Sequence, residues 1–268
     1  MSPARPLAYL YGVAEGPAPA DLPAVEAILP GVAIEAHARA GLVAFASPVG
    51  EDEFGGRSLE AADPAWLTDR VIAHARVLAA LMPRRTIVPL RFGTVCRDPG
   101  EIGDFIERQQ TVLVDALDHV RGATEWGVKL HCDPDVLGAA VERELPAARM
   151  ALAARAAATP GRGFFLAKRI APIVAAETAA RVAACVERTN RSLAAAARAS
   201  VPLRSAALSA EFAYLVADDR LAAFRERLAE LGTAFAASGV RYEMSGPWPP
   251  YNFVAGGGAV IERAADGR

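Results

Sequence analysis

The sequence predicts an α+β fold made of two successive βαββαβ-type units, the second carrying an unusually long helix. Three observations predict it. Short β-branched or aromatic runs alternate with stretches of helical period. Their order up to residue 92 is β, α, β, β, α, β. From residue 124 the same order returns, without visible sequence repetition, around a longer helical region. The simplest architecture is therefore two tandem ferredoxin-like units. Residues 1–121 would form a modified N-terminal unit plus a bridging helix, residues 122–254 a second modified unit, and residues 255–268 a flexible tail poor in apolar side chains.

In the first half, Leu7–Val13 is an apolar, aromatic run that ends at a Pro-rich turn and reads as the first strand. Asp21 can cap a short helix to Leu29. Val32–Ala38 and Leu42–Ser47, separated by Arg39-Ala40-Gly41, carry a hairpin signature with glycine at the turn. Glu51–Gly56 reads as an acidic, Gly-rich loop. Asp63-Pro64 then supplies an N-cap and a first-turn proline for a helix whose stripe is Leu67, Val71, His74, Leu78 and Leu81. Thr86–Phe92 is extended, with Pro89 arguing for an edge or a bulge. The spacing of Ile102, Phe105, Ile106, Gln109, Leu113, Leu117 and Val120 predicts one long helix over about 101–120, the proposed bridge.

In the second half, Trp126, Val128 and Leu130 alternate on one side of a strand, and Asp133-Pro134 begins a helix. A long helical pattern runs from Gly163 to about Ala199, with Leu166, Ile170, Ile173, Val174, Val182, Cys185, Val186 and Leu193 on one stripe. Val201–Leu208 and Phe212–Val216 are strands, Asp218 caps a helix to about Phe235, and Val240–Met244 closes the set.

The bulk numbers exclude several classes of function. With 29 Lys and Arg against 31 Asp and Glu, the 268-residue chain has no field of one sign to gather nucleic acid or an anionic membrane. Hydrophobic residues make up 53%, much of it alanine, yet Arg or Glu interrupts every apolar stretch before membrane-spanning length. The N-terminus is too quickly broken by Glu15, Gly16 and Pro17 to act as a signal peptide. Cys96, Cys132 and Cys185 are far apart and read as buried thiols in a reducing, cytoplasmic setting.

No constellation for catalysis is legible, so no enzyme, cofactor or metal is expected. His37, His74, His119 and His131 lie in four different elements, without metal-ligand spacing. His74 stands out on an apolar helix stripe, where a satisfied, partly buried histidine outweighs a ligand or base. Gly161-Arg162-Gly163 is a weak anion-site pattern better explained as a plain helix start, and Lys168-Arg169 as solvated surface. The least ordinary segment is Gly246-Pro247-Trp248-Pro249-Pro250-Tyr251-Asn252-Phe253, a proline run interleaved with aromatics. Such a strip can lash the C-terminus across its own domain or dock a partner, and the sequence favours neither.

Four blocks in order carry a family resemblance. They are Tyr9-Leu10-Tyr11-Gly12-Val13; His74-Ala75-Arg76-Val77-Leu78 through Val88-Pro89-Leu90-Arg91-Phe92-Gly93-Thr94; Glu125-Trp126-Gly127-Val128-Lys129; and Ser245 through Phe253. Together they resemble the gas vesicle protein F/L family, and Phe164-Phe165-Leu166-Ala167-Lys168-Arg169 matches the start of that family's long helix. The resemblance implies a two-domain α+β assembly protein and minor component of gas vesicles. Its implied partners are the small, very hydrophobic major wall protein and other accessory proteins. The candidate contact residues it implies are His74, Arg91, Phe92, Gly93, Trp126, Gly246, Pro247, Trp248, Pro249, Pro250, Tyr251 and Phe253. The alternative is a small-molecule-binding regulatory module, an analogy at the level of fold alone.

Overall fold

Strand β1 (Pro6–Glu15) organises the first sheet because its side chains are buried almost end to end, so it is paired on both edges. On one side it runs antiparallel to β3 (Leu42–Gly50), which pairs antiparallel with β2 (Glu35–Arg39). The β2–β3 turn places Ala40 at φ 50° and Gly41 at φ 79°, the double left-handed conformation that matches strand twist. On the other side lie two short strands, β4 (Ile87–Pro89) and β5 (Val95–Cys96). The predicted strand over 86–92 thus runs as a ladder only to Pro89; the Leu90 amide still donates to the Tyr11 carbonyl (2.9 Å), and the chain returns to β1 as β5 after a turn. The computed structural model describes residues 6–55, 62–157 and 159–254. The tail at 255–268 lies outside the described residues.

The β1–β3 register shifts between Leu10 and Gly12, a bulge that brings Gly12 against β4. A Cβ on Gly12 would lie 2.8 Å from both Ile87 Cγ2 and the Val88 carbonyl oxygen. The carbonyl belongs to the sheet and cannot step aside. Gly12→Val is expected to lower stability by about 1–3 kcal/mol, read as a fall in the denaturant midpoint at unchanged m.

The helices follow their capping signals more closely than their predicted lengths. Helix α1 (Glu51–Phe54) occupies the expected acidic loop and buries Phe54 completely. Helix α2 (Pro64–Leu81) begins where Asp63 accepts the amides of Ala65 (2.8 Å) and Trp66 (3.1 Å), and it buries Ala73, His74, Val77, Leu78 and Leu81. No helix forms over 21–29. Pro23 restricts Leu22, the segment is too short to nucleate alone, and the Ile28 amide donates to the Tyr11 hydroxyl (2.8 Å). The predicted helix over 101–120 is two, α3 (Pro99–Arg108) and α4 (Gln110–Val120), broken where Gln109 leaves helical geometry at φ −101°, ψ 6°. Both belong to the first unit.

Two units result, Met1–Glu125 with Pro247–Arg268, and Trp126–Gly246. The Pro-aromatic strip, which chain order assigns to the second unit, therefore belongs with the first from Pro247 onward. In the second unit the sheet order is β7 (Ala199–Ala206), β8 (Ser209–Ala217), β6 (Ala123–Cys132), β9 (Val240–Trp248). Counted within each unit, this repeats the order of the first sheet: second, third, first, fourth strand. Its helices are α5 (Pro134–Glu144), α6 (Pro146–Ala156), the 35-residue α7 (Pro160–Ala194) and α8 (Leu221–Phe235). Asp218 opens a short 3-10 turn, Asp218–Arg220, that leads into α8. The core joins Trp126, Val128, Phe212, Tyr214, Phe224 and Leu231 to Leu193 near the end of α7.

Candidate functional site

The polar groups most deeply buried in the first unit converge on His74. Period two sends Tyr9 and Tyr11 to the same face of β1, and the helical stripe of α2 carries His74 over that face. The Tyr9 hydroxyl lies 2.8 Å from His74 Nδ1, and the Tyr251 hydroxyl 2.7 Å from Nε2. Tyr251 opens α9 (Tyr251–Val254), the last described element. The Tyr11 hydroxyl donates to Ser47 Oγ (2.9 Å), which donates in turn to the Ala33 carbonyl (2.8 Å). Because the Tyr9 hydroxyl also accepts the Gly93 amide (3.4 Å), its own proton is free for Nδ1. Nε2–H can then donate to Tyr251, so a neutral imidazole satisfies both tyrosines.

Aromatic packing closes the cluster. Tyr9 meets Tyr11, Phe54 and Phe92 edge-on at centroid distances of 5.2, 4.9 and 6.0 Å, and the His74 ring stacks on Tyr11 at 5.7 Å. Burial favours the uncharged imidazole and pulls the His74 pKa down to about 4, against a smaller opposing effect of the Leu90 carbonyl. The same desolvation pushes Tyr9 and Tyr251 well above the usual tyrosine value. This is chemistry for holding a fold together. A general base would need a pKa nearer neutrality and a path to water.

A second polar anchor holds the same C-terminal segment. Glu125 is buried, and its carboxylate accepts the Asn252 backbone amide (3.0 Å) and side-chain amide (2.6 Å). Burial raises its pKa, opposed by those two hydrogen bonds. Pro249, Pro250, Phe253 and Val254 are buried beside it. Residues 249–254 thus pack within the first unit, whereas Pro247 and Trp248 are exposed.

Of the residues singled out in the sequence, the structure brings together His74, Phe92, Gly93 and Tyr251, with Pro249, Pro250 and Phe253 in the same unit. Arg91 contributes its carbonyl, which accepts the Thr94 amide (3.1 Å) and hydroxyl (2.7 Å), while its side chain is exposed. Gly246 ends the second unit in β9, and Trp126 lies in the second-unit core under the Arg225 guanidinium, 5.0 Å from the ring centroid. Sequence reasoning did not pick out Phe54, Ser47, Glu125 or Asn252 as site residues. The doublet of tyrosines at period two was the one legible signal for such a cluster. Among the described residues no group of three or more His, Cys, Asp or Glu could hold a metal ion, and no helix is long and apolar enough to cross a membrane.

The second unit offers a different kind of surface. The first half of α7 packs on α6 and leaves Phe164, Phe165 and Ile173 exposed, as is Met150 on α6. The helical period places Ile173 on the apolar stripe, yet it is exposed. It faces outward because only the later half of α7, from Val182 on, reaches the sheet core.

The family of the gas vesicle synthesis protein GvpL/GvpF matches residues 7–255. A gas vesicle protein L from a Streptomyces species is 33% identical over 223 residues, 79% of each chain. The crystal structure of gas vesicle protein GvpF from an Anabaena species superposes with a TM-score of 0.70 at 16% identity, covering 93% of this chain and 96% of that one. GvpF from Microcystis aeruginosa gives 0.67 at 19% identity, over 92% and 98%. At such identities the two crystal structures speak for the α+β fold alone. The match over residues 7–255 and the 33% identical relative identify the family, and the chain belongs to the GvpL/GvpF family of gas vesicle synthesis proteins.

Proposed function

We propose that this chain is a cytoplasmic assembly factor and minor component of the gas vesicle. It holds the small, hydrophobic major wall protein, in company with other accessory proteins, before and during nucleation. The role is one of contact and not of catalysis. What supports the reading, beside family membership, is the apolar surface of the α6–α7 hairpin. Met150 is 75% exposed, Phe165 68%, Phe164 65% and Ile173 47%. Large apolar side chains grouped in the open mark contact sites, and a wall subunit outside its shell has apolar surface that aggregates unless covered.

The expected result is that the purified protein binds the wall protein and lengthens the lag before it aggregates, followed by light scattering. Phe164→Ser with Phe165→Ser is expected to abolish most of that delay while leaving the circular dichroism melt within about 2 °C of the parent, since exposed side chains contribute little to stability. A wild-type protein that neither binds the wall protein nor delays its aggregation would overturn the reading.

A further inference from the structure

We infer that the outward face of the α6–α7 hairpin is a cationic, aromatic docking surface for an acidic helical segment with an apolar face, presented by a partner protein. The inference rests on the assembly reading above and deepens it by naming the chemistry of the contact.

The first observation is charge segregation. Residues 145–176 contain Arg149, Arg155, Arg162, Lys168 and Arg169 and not one Asp or Glu, in a chain whose net charge is −2. A segment this one-sided within a nearly balanced chain has an electrostatic preference of its own. Among the described residues, Arg149, Arg162, Lys168 and Arg169 make no ion pair, whereas Arg181, further along α7, is held by Glu144 (2.7 Å) and Glu177 (3.1 Å). The four cations are thus available to carboxylates from outside.

The second observation is how cations and rings share one face. Helical spacing makes Phe164 and Lys168, Phe165 and Arg169, and Arg169 and Ile173 neighbours one turn apart. All five residues are exposed. Leu166, Ile170 and Val174 form the adjoining, half-buried stripe. Beside them a depression of about 460 Å³ is lined by Leu145, Pro172, Ile173, Ala176 and Glu177, room for one or two apolar side chains. A surface that alternates rings, cations and a small apolar hollow complements a helix carrying carboxylates between leucine-like residues. A lipid surface is the poorer occupant. Helices that lie in a bilayer interface keep their cations at the margins of an apolar face, and here Arg169 stands between Phe165 and Ile173, and Lys168 between Phe164 and Phe165, on the face itself.

The full-length protein is to be titrated against a fluorescein-labelled synthetic helical peptide with leucines at i, i+3 and i+4 spacing and glutamates elsewhere. A peptide with glutamine in place of glutamate serves as control. The expected result is saturable binding of the acidic peptide, weakened by salt, with the glutamine peptide bound roughly tenfold less tightly. Lys168→Glu with Arg169→Glu should weaken the acidic peptide by a similar factor, and Phe164→Ser with Phe165→Ser should do so without changing the salt dependence. Unchanged circular dichroism melts would certify both variants as folded. Equal binding by the charge-reversed variant overturns the proposal. So does preference for vesicles of phosphatidylglycerol and phosphatidylcholine, or self-association of the chain that the same variants abolish.

Capture of the wall protein by wild type and variants separates the two readings. Undiminished capture by both variants sinks the hairpin surface and leaves the assembly role standing. If wild type captures no wall protein yet loses peptide binding on substitution, the surface stands and the wall-protein reading fails.

Discussion

Replacing His74 with alanine is expected to lower the stability of the first unit by about 3–5 kcal/mol, combining a ring-sized cavity with buried hydroxyls left unpaired. The ring is buried among Tyr9, Tyr11, Phe92 and Tyr251, and its two nitrogens serve two hydroxyls that come from opposite ends of the chain. In calorimetry the corresponding fall in Tm is roughly 10–20 °C for a unit of this size. Phe92→Ala would remove comparable apolar area without orphaning a polar group. A loss at His74 no larger than at Phe92 would show that the hydrogen bonds contribute nothing.

The same histidine predicts an acid limb to the stability curve. Its pKa is about 4 when folded against an ordinary 6.5, so between those values the unfolded chain binds more protons than the folded one. Stability therefore rises with pH across that window, by up to about 1.4 kcal/mol per pH unit, and is complete above 6.5. Glu125 acts the other way. Its raised pKa makes the folded state hold its proton longer, so its contribution favours folding below the usual carboxylate value and fades as pH rises through its folded value. The His74→Ala variant should lack the rise between pH 4 and 6.5. A variant that kept the wild-type slope there would place the acid sensitivity elsewhere.

What the sequence revealed of this architecture was set by how local each signal is. Asp63-Pro64 and the stripe through Leu81 determine α2 almost alone, because a cap and a period lie within one short window. The break at Gln109 left no mark on the apolar period, since Ile102, Phe105 and Ile106 and then Leu113 and Leu117 continue it across the break. The candidate site was half legible. His74 is conspicuous on its stripe, but its partners lie 65 and 177 positions away in the chain, and no period or spacing encodes such pairings. The strip from Pro249 to Val254 looked equally suited to self and to partner. Its assignment to the first unit depends on two polar anchors, His74 and Glu125, that only the folded chain brings within reach. On α7 the helical period marks the stripe, but period alone does not say how much of a 35-residue helix is covered, and Ile173 lies in the open.

Alkali should unfold both units cooperatively, and the effect is expected to be the largest of any solution condition. All five tyrosines of the chain, Tyr9, Tyr11, Tyr214, Tyr242 and Tyr251, have pKa values raised chiefly by burial. Above the ordinary value of 10.0 the unfolded chain gives up its phenolic protons while the folded chain keeps them. The folded state then binds more protons, and stability falls as pH rises. Each such tyrosine contributes a slope of up to about 1.4 kcal/mol per pH unit, so the three in the first unit together approach about 4. Against a total stability of about 5–15 kcal/mol for an ordinary domain, that slope leaves little margin beyond one or two pH units. Tyrosinate absorbance and far-ultraviolet circular dichroism should therefore change together, in steep transitions above pH 10. Tyr251→Phe should make the first unit's transition shallower, because one of its three titrating groups is gone, even though the lost hydroxyl also leaves His74 Nε2 without its partner. Gradual ionisation of the tyrosines near pH 10 with the circular dichroism intact would mean that these rings reach water in the folded protein, and the buried cluster around His74 would have to be abandoned with them.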